Sequence, residues 1–292
     1  MITVTQLRAF LAVARAGGVQ AAAEELHVSQ PSVSAALAAL ERELGAELLE
    51  REGRGVRLSE AAHAFEPYAA QVLGLLEQGR QAAVETDRTR QARIRVAAVH
   101  TAGEYLLPPL IQAYRAVRPD AEILLEIGNN AVVLDRLTTH RADVGVGGEP
   151  TTRAVVGEPF LENELIVVGR EVPPELGAAT WLLREPGSGT RAATERLLAE
   201  RKLEPPSVLT LGSNGAIKRA LAIGLGVTLI SRHAVARELH DGSLVRIPVK
   251  GAWFTRRWHV LRARGVPSRP SVDAFQAFLH SPAARDAIER SL

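Results

Sequence analysis

Hydrophobic positions recur at helical spacing in the first ninety residues and in strand-like runs beyond them. Leu7, Phe10, Leu11 and Ala14 fall at positions i, i+3, i+4 and i+7, as on one face of an amphipathic helix. Beyond residue 93, the apolar runs RIRVAAV, AEILLEIG, ELIVVG and GVTLISR alternate with helical segments. This alternation predicts an α/β domain with a largely parallel sheet. We therefore expect an α+β multidomain protein whose N-terminal part is helical.

The third helix predicted in the N-terminal part has the clearest boundaries. In the stretch LHVSQPSVSAALAALERELG, Ser29 suits the N-cap, Pro31 the first turn and Gly45 the C-terminal cap. Its apolar residues share one side, which leaves polar side chains at the exposed amino-terminal end. In a helix-turn-helix, that end of the second helix enters the DNA major groove. We therefore predict DNA contacts from five residues: Ser29, Gln30, Pro31, Ser32 and Ser34.

The next segment, AELLEREGRGVRLSE, predicts two short strands around Gly53 and Gly55. Such a wing suits phosphate contacts through Arg51 and Arg54. The charge balance does not favour DNA, because residues 1–60 hold six arginines and no lysine against eight glutamates, a net charge of −2. From the residues alone, a dimerisation or protein-binding module therefore stays open.

Residues 60–90 form one long helical pattern. Small or apolar side chains recur there every three or four residues: Phe65, Ala69, Val72, Leu76, Gly79 and Ala83. Such a stripe packs against another helix, either in a second copy of the chain or within the same domain. Both alternatives are open at this point.

Small and polar residues follow most of the predicted strands of the second part. They occur in VHTAGEY, GNNA, GVGGEP, REPGSGTR and LGSNGAIKRA. Any one of these segments alone is explained by helix capping. Together they place short donors and free helix N-termini where ligands collect in open α/β sheets, which favours a small anion. The candidate effector-binding residues are His100, Thr101, Asn129, Asn130, Gly147, Gly148, Ser188, Gly189, Thr190, Arg191, Asn214 and Lys218.

Composition and motif spacing exclude several functions. With no Cys, the chain has no disulfide, thiolate metal site or cysteine nucleophile, and its eight His show no zinc spacing. GVGGEP lacks the last glycine of a dinucleotide fingerprint, and PGSGT is neither a nucleophile elbow nor a P-loop. We expect no catalytic residue, no cofactor and no metal.

No segment predicts export or membrane insertion. The N-terminus carries arginines inside its apolar pattern, unlike a signal peptide, and the longest uncharged apolar run is too short to span a bilayer. We expect a cytoplasmic protein without a membrane partner. A ligand-binding transport protein would account for the second part only, since it leaves the first ninety residues unexplained.

The chain resembles the LysR-type transcriptional regulators. The motif A-A-x-x-L-H-V-S-Q-P-S-V-S-x-x-L-x-x-L-E-x-x-L-G-x-x-L-x-x-R carries the resemblance, which continues over the whole chain. It implies a winged helix-turn-helix, a long linker helix and a two-lobed α/β effector domain similar to periplasmic binding proteins. The implied boundaries are 1–59 for the DNA-binding domain, 60–90 for the linker helix and 91–292 for the effector domain, with 92–162 and 266–292 in lobe I and 163–265 in lobe II.

The resemblance also implies partners. These are double-stranded promoter DNA, a small co-inducer held between the lobes, and further copies of the chain. The linker helix would pair two subunits antiparallel in a homodimer, and two dimers would form a homotetramer.

Three segments look closest to the branches of this family that regulate sulfite reduction or cysteine synthesis and carbon fixation: GEYLLP, REPGSGTR and SNGAIKRALAIGLGV. Members of those branches often carry Thr where His100 and Asn130 stand. His100 either adds a protonatable contact to an anion or only fills space. In the DNA-binding helix, Ala35 replaces the Arg or Gln common in the family. Sulfur anions, O-acetylserine, sugar phosphates and nicotinamide cofactors all stay open as co-inducers.

Overall fold

The chain folds into two compact units. The computed structural model describes residues 1–52, 55–85, 93–249, 254–267 and 269–290. The first unit comprises residues 1–83 with 139–141, and the second comprises 84–138 with 142–292. Each unit has buried apolar clusters of its own.

Three helices and a hairpin begin the first unit. They are α1 (Val4–Ala16), α2 (Val19–Leu26), α3 (Gln30–Leu44), β1 (Leu49–Glu52) and β2 (Gly55–Leu58), the two strands pairing antiparallel. Thr3 caps α1 by accepting a hydrogen bond from the backbone N–H of Gln6. The helix ends at Gly17, whose φ of +71° is a left-handed conformation that glycine adopts without strain.

The observed boundaries of α3 confirm the sequence prediction. Ser29 Oγ accepts a hydrogen bond from the backbone N–H of Ser32 at 3.3 Å, and Pro31 lies in the first turn. The helix ends at Gly45, again with a left-handed backbone. The apolar side of α3 is buried in the core of the first unit: Val33, Leu37 and Leu40.

A long helix, α4 (Glu60–Glu85), follows the hairpin. The prediction extended it to residue 90, and residues 86–90 lie outside the described residues. One side of this helix packs internally, since the Phe65 ring lies 5.5 Å from that of Phe10 and Ala69 is buried. Apolar residues on the rest of its surface form an exposed stripe: Tyr68, Val72, Leu75 and Leu76. The predicted stripe therefore divides between internal packing and open surface.

The strands described in the second unit form one nine-stranded sheet with two parallel parts. The first part contains β3 (Arg93–Val99), β4 (Glu122–Gly128) and β5 (Val144–Gly147), and we call the surrounding structure lobe I. The second part contains β7 (Trp181–Leu183), β8 (Val208–Thr210) and β9 (Val227–Ser231), and forms lobe II. Two long antiparallel strands join the lobes, β6 (Val155–Gly169) and β11 (Phe254–Ala263), and β10 (Val245–Ile247) pairs with β6. This arrangement confirms the predicted two-lobed α/β fold.

Helices cover the sheet. They are α5 (Leu107–Val117), α6 (Asn130–Thr138), α7 (Gly189–Glu200), α8 (Asn214–Ala222), α9 (Ala236–His240), α10 (Pro270–Leu279) and α11 (Pro282–Glu289), with a π-helical turn at Ala102–Leu106. The last two helices return to lobe I, where Phe275 and Ile288 join the cluster that contains Ile94 and Tyr114. Among the described helices, none is long and apolar enough to cross a membrane.

A buried ion-pair cluster surrounds Arg269, which is 4% exposed. Its guanidinium lies 3.0 Å from a carboxylate oxygen of Glu85 and 3.1 Å from one of Asp143, and it donates to the carbonyl oxygen of Arg93 at 2.7 Å. Asp143 also pairs with Arg95. Because buried charges must be paired, the cluster ties the last residue of α4 to lobe I within the second unit.

Candidate functional site

A cavity of about 570 Å³ opens in the second unit, where parallel strands of both lobes end. This is the place at which open α/β sheets bind ligands. Most of the predicted effector residues line it: His100 and Thr101 after β3, Asn129 and Asn130 after β4, Gly148 after β5, and Ser188, Gly189 and Thr190 after β7. The strand-end segments of the sequence therefore meet in one cavity.

The first turn of α7 forms one wall of the cavity. Ser188 caps this helix, its Oγ accepting a hydrogen bond from the backbone N–H of Arg191 at 3.4 Å. Gly187 has a φ of +84°, and a Cβ there would lie 3.1 Å from Nδ2 of Asn129 in lobe I. Glycine therefore satisfies both a left-handed backbone and a close approach between the lobes. The amino-terminal ends of α6 and α7 consequently lie close together.

Arg256 on β11 also lines the cavity, and the sequence analysis did not identify it. Its Nη1 donates to the carbonyl oxygen of Gly189 at 2.9 Å, and its Nη2 donates to Thr190 Oγ1 at 3.2 Å. Its buried Nε has no hydrogen-bond partner among the described residues. The guanidinium is thereby held against the first turn of α7.

The positive charge of Arg256 is not balanced by any carboxylate within the described part of the chain. The N-terminus of α7 adds roughly half a positive charge at the same place. Burial, followed by repulsion from Arg196, lowers the pKa of Arg256 to about 10. This wall of the cavity therefore carries excess positive potential, which a bound anion would relieve.

Two carboxylates line the same cavity. Glu185 forms two hydrogen bonds with the guanidinium of Arg184, at 2.8 and 2.9 Å, so the two charges compensate each other. Glu149 is exposed at the rim. In the described residues, no group of three or more His, Asp and Glu side chains is arranged to hold a metal ion.

Four of the predicted effector residues do not line the cavity. Arg191 points elsewhere, pairing with Glu195 at 2.7 Å. Lys218 pairs with Glu238 at 2.7 Å and lies over the ring of Tyr105. The other two are Gly147, where an added Cβ would lie 3.5 Å from Asn130 Oδ1, and Asn214.

Asn214 is fully buried behind the cavity. Its Oδ1 accepts a hydrogen bond from Arg184 Nη1 at 2.7 Å, and its Nδ2 donates to Glu104 Oε2 at 3.0 Å and to Thr101 Oγ1 at 3.4 Å. Glu104 also contacts His100 Nδ1 at 3.3 Å. Two of the predicted effector residues, His100 and Asn214, are therefore linked through Glu104, which was not among the predicted residues.

The first unit exposes the predicted DNA-binding end of α3. Gln30, Pro31, Ser32 and Ser34 are all exposed. Ser29 and Ser32 are partly engaged in the cap, with their hydroxyl oxygens 2.8 Å apart. Gln30 and Ser34 thus remain the polar side chains of this end that the cap does not use.

The hairpin lies beside the same end of α3. Gln30 and Arg51 line one surface groove together with the first turn of α2, including Gln20. Arg57, by contrast, pairs with Glu50 across the hairpin. Arg54 lies outside the described residues. A polar surface therefore continues from α3 to the first strand of the hairpin.

Four cavity residues that were not predicted from the sequence share one property. Arg256, Arg257, Trp258 and His259 come from β11, far along the chain from the glycine-rich turns that they meet. The segment FTRRWHV has no glycine or cap signal. The only indication of a role in the cavity is that Arg256 lies two residues before Trp258. Side chains two residues apart on a strand point to the same face of the sheet.

Comparisons with known proteins agree with this organisation. Residues 87–283 match the family model of the LysR substrate binding domain, and residues 4–63 match that of the bacterial regulatory helix-turn-helix protein, lysR family. The HTH-type transcriptional regulator CfxR of Cupriavidus necator is 31% identical over 95% of this chain and 91% of its own length. The uncharacterized HTH-type transcriptional regulator YeiE of Escherichia coli is 36% identical over 85% of this chain and 87% of its own.

Among solved structures, the regulatory domain of CcmR from Synechocystis, in complex with 2-PG, is similar to the second part of the chain. It is 29% identical, covers 64% of this chain and 95% of its own, and has a TM-score of 0.60.

Proposed function

The chain belongs to the LysR family of transcriptional regulators, and from this premise we propose that its cavity binds a small anionic co-inducer that changes promoter binding. Its relatives are transcriptional regulators, which confirms the expectation of a DNA-binding regulator rather than an enzyme. Regulators of this family bind promoter DNA, form oligomers and respond to small effectors.

The main support for an anionic ligand is the positive charge of Arg256, which no carboxylate among the described residues balances. A guanidinium held by Gly189 and Thr190 at a helix N-terminus, with Arg196 nearby, is electrostatically unfavourable unless an anion joins it. The similarity to the CcmR regulatory domain, solved with 2-PG, supports an acidic ligand of comparable size. We therefore take 2-phosphoglycolate as the first candidate.

A thermal-shift titration of the full-length protein tests this proposal. The panel comprises 2-phosphoglycolate, sulfate, thiosulfate, O-acetylserine, ribulose bisphosphate and NADPH, with glycerol as the neutral control. We expect a saturable rise in Tm with at least one anion and none with glycerol, because only binding to the folded state raises Tm.

Two variants of Thr190 connect that rise to the cavity. Thr190→Val keeps the side-chain shape and removes the oxygen that accepts from Arg256, so the Tm rise should disappear while DNA binding persists. Thr190→Ser retains the oxygen and should retain the response. A response that survives in the Val variant would place the ligand elsewhere, and loss of DNA binding as well would make Thr190 a structural cap.

For the first unit, we propose that Gln30 and Ser34 contact base edges and that Arg51 contacts phosphate. All three are exposed, and Gln30 and Arg51 line one surface groove, which supports this assignment. We propose the domain boundaries 1–59, 60–90 and 91–292, and self-association through the exposed stripe of α4, in a homodimer that assembles into a homotetramer.

A further inference from the structure

Asn214 connects two walls of the cavity without lining it. Arg184, which donates to its Oδ1, follows β7 in lobe II. Thr101 and Glu104, which accept from its Nδ2, follow β3 in lobe I. One buried amide therefore joins the lobes, and two of its three partners, Thr101 and Arg184, face the cavity.

The polarity of this contact fixes the residue type. A guanidinium can only donate hydrogen bonds, and an ionised carboxylate can only accept them. The residue between Arg184 and Glu104 must therefore accept on one side and donate on the other. The amide of Asn214 does both within hydrogen-bonding distance, at 2.7 and 3.0 Å. An aspartate of the same shape would accept on both sides.

We propose that Asn214 is a positioning residue that sets the separation of the two lobes across the effector cavity. It acts through Thr101 and Arg184, whose polar groups it holds, and does not touch the ligand. This inference rests on the proposed function, because it assigns the controlled spacing to effector binding. The central claim is that the contact between the lobes needs an acceptor facing Arg184 and a donor facing Glu104. This claim can be tested without any ligand.

Several charged or titratable side chains surround the hydrogen bonds of Asn214. Glu185 neutralises Arg184, and His100 contacts the second oxygen of Glu104. Tyr105, next to Glu104, remains protonated through the physiological range, since burial and then Glu104 raise its pKa to about 12. Two further charged groups, Lys218 and Glu238, pair with each other beside Tyr105.

The test replaces the donor by an acceptor, in Asn214→Asp. Two carboxylates at hydrogen-bonding distance cannot both stay ionised, so they share a proton and the pKa of the pair rises in the folded state. A raised folded-state pKa means that the folded protein binds the proton more tightly than the unfolded chain. The variant is therefore destabilised most near neutral pH, and acidification relieves the destabilisation.

The first readout is Tm of the full-length protein against pH, without ligand. The difference in Tm between wild type and Asn214→Asp should shrink as the pH falls from about 8 to about 5. The comparison is repeated in the His100→Gln background, because His100 contacts Glu104 and is present in both proteins. Parallel pH profiles would overturn the proposal, because the introduced carboxylate would then have the same pKa in the folded and unfolded states. Burial alone also raises the pKa of a carboxylate, so the double variant described next decides whether Glu104 is the cause.

The second readout is rescue by reversing the polarity. Asn214→Asp combined with Glu104→Gln puts the donor in lobe I and the acceptor in lobe II. This restores a hydrogen bond between an uncharged amide and a single carboxylate. The double variant should regain the wild-type pH profile, whereas Glu104→Gln alone should not show the acid-dependent recovery. Failure of the double variant to recover would show that the contact has no polarity requirement.

The third readout is the affinity for 2-phosphoglycolate near pH 8, measured by calorimetry. We expect Kd to rise at least about tenfold in Asn214→Asp, and to return within about threefold of wild type in the double variant. An unchanged Kd in Asn214→Asp would overturn the positioning role. If wild type does not bind 2-phosphoglycolate, that ligand is wrong, while the pH profile and the rescue still decide the role of Asn214.

Discussion

Arg256 on β11 donates a 3.2 Å hydrogen bond to Thr190 Oγ1 on α7, joining residues 66 positions apart in the sequence. The contact places a cation at the positive end of a helix, an arrangement that opposes the helix dipole. It also attaches the first turn of α7 to one of the two strands that join the lobes. An anion bound there would stabilise the helix end and the joining strand together.

Replacing Arg256 tests the electrostatic part of this arrangement. Arg256→Gln should weaken the binding of the responsive anion at least about tenfold, or about 1.4 kcal/mol. In the ligand-free protein it should leave Tm unchanged or raise it, since a buried cation near Arg196 is removed. Calorimetry and thermal unfolding measure the two effects. Arg201→Gln, an exposed substitution just beyond the other end of α7, is the control; equal losses in both variants would contradict the assignment.

Replacing Gln30 or Ser34 tests the DNA-contact assignment. Each alanine variant should weaken binding to a specific duplex by about 1–3 kcal/mol, because a hydrogen bond to a base edge is lost. The duplex is obtained by selection from a randomised library with the wild-type protein, and affinities are measured by fluorescence anisotropy. Binding to an unrelated duplex, which depends on phosphate contacts, should change little. Unchanged specific affinity and footprint would remove α3 from the DNA interface.

Replacing Val72 tests the proposed self-association through α4. Val72→Asp puts a charge into the exposed apolar stripe, and the dissociation constant of the dimer should rise at least about tenfold. Analytical ultracentrifugation of the full-length protein measures it. Val117→Asp alters a similarly exposed valine in the second unit and should leave the assembly intact. An unaffected assembly in the first variant would move the interface away from this stripe.

Replacing Arg269 tests the buried ion cluster. Arg269→Met removes the cation that Glu85 and Asp143 share, and breaking a buried pair in this way destabilises by about 3–5 kcal/mol. Urea denaturation followed on the transition of the second unit gives the change in the free energy of unfolding. The exposed Arg285→Met should change it by less than about 0.5 kcal/mol. A similarly small change for Arg269→Met would mean that water solvates Glu85 and Asp143 when the cation is removed.

Local signals in the sequence predict much of the fold. Ser29, Pro31 and Gly45 define α3 because capping involves only residues within one turn of the helix end. The same holds for the first turn of α7, where GSGT predicts the helix start at Ser188; the assignment of Ser188 and Thr190 to a ligand site needed the other strand-end segments as well. Runs of β-branched residues likewise predict most strands, although their order in the sheet depends on long-range pairing.

Sequence spacing does not reveal partners that come from distant segments. Arg256 meets Thr190 only because β11 runs back through the middle of the sheet. Asn214 and Lys218 follow a strand end and were predicted to contact the effector. Instead they meet Glu104 and Glu238, whose positions depend on how the lobes and helices pack. Asn214 and Lys218 do form polar contacts, but the tertiary structure determines which residues they contact.

Lobe I takes its core from both ends of the second unit. Phe275, Leu279 and Ile288 from α10 and α11 are buried with Ile94 and Leu107, which lie early in the same unit. A nonsense mutation before residue 270 would therefore leave the strands around Ile94 without two of their covering helices. We expect such a truncated product to be degraded, so that it does not persist as a regulator that binds DNA without responding to its effector. In a genetic screen for constitutive or dominant alleles, we thus expect missense changes in the cavity and hardly any early stop codons.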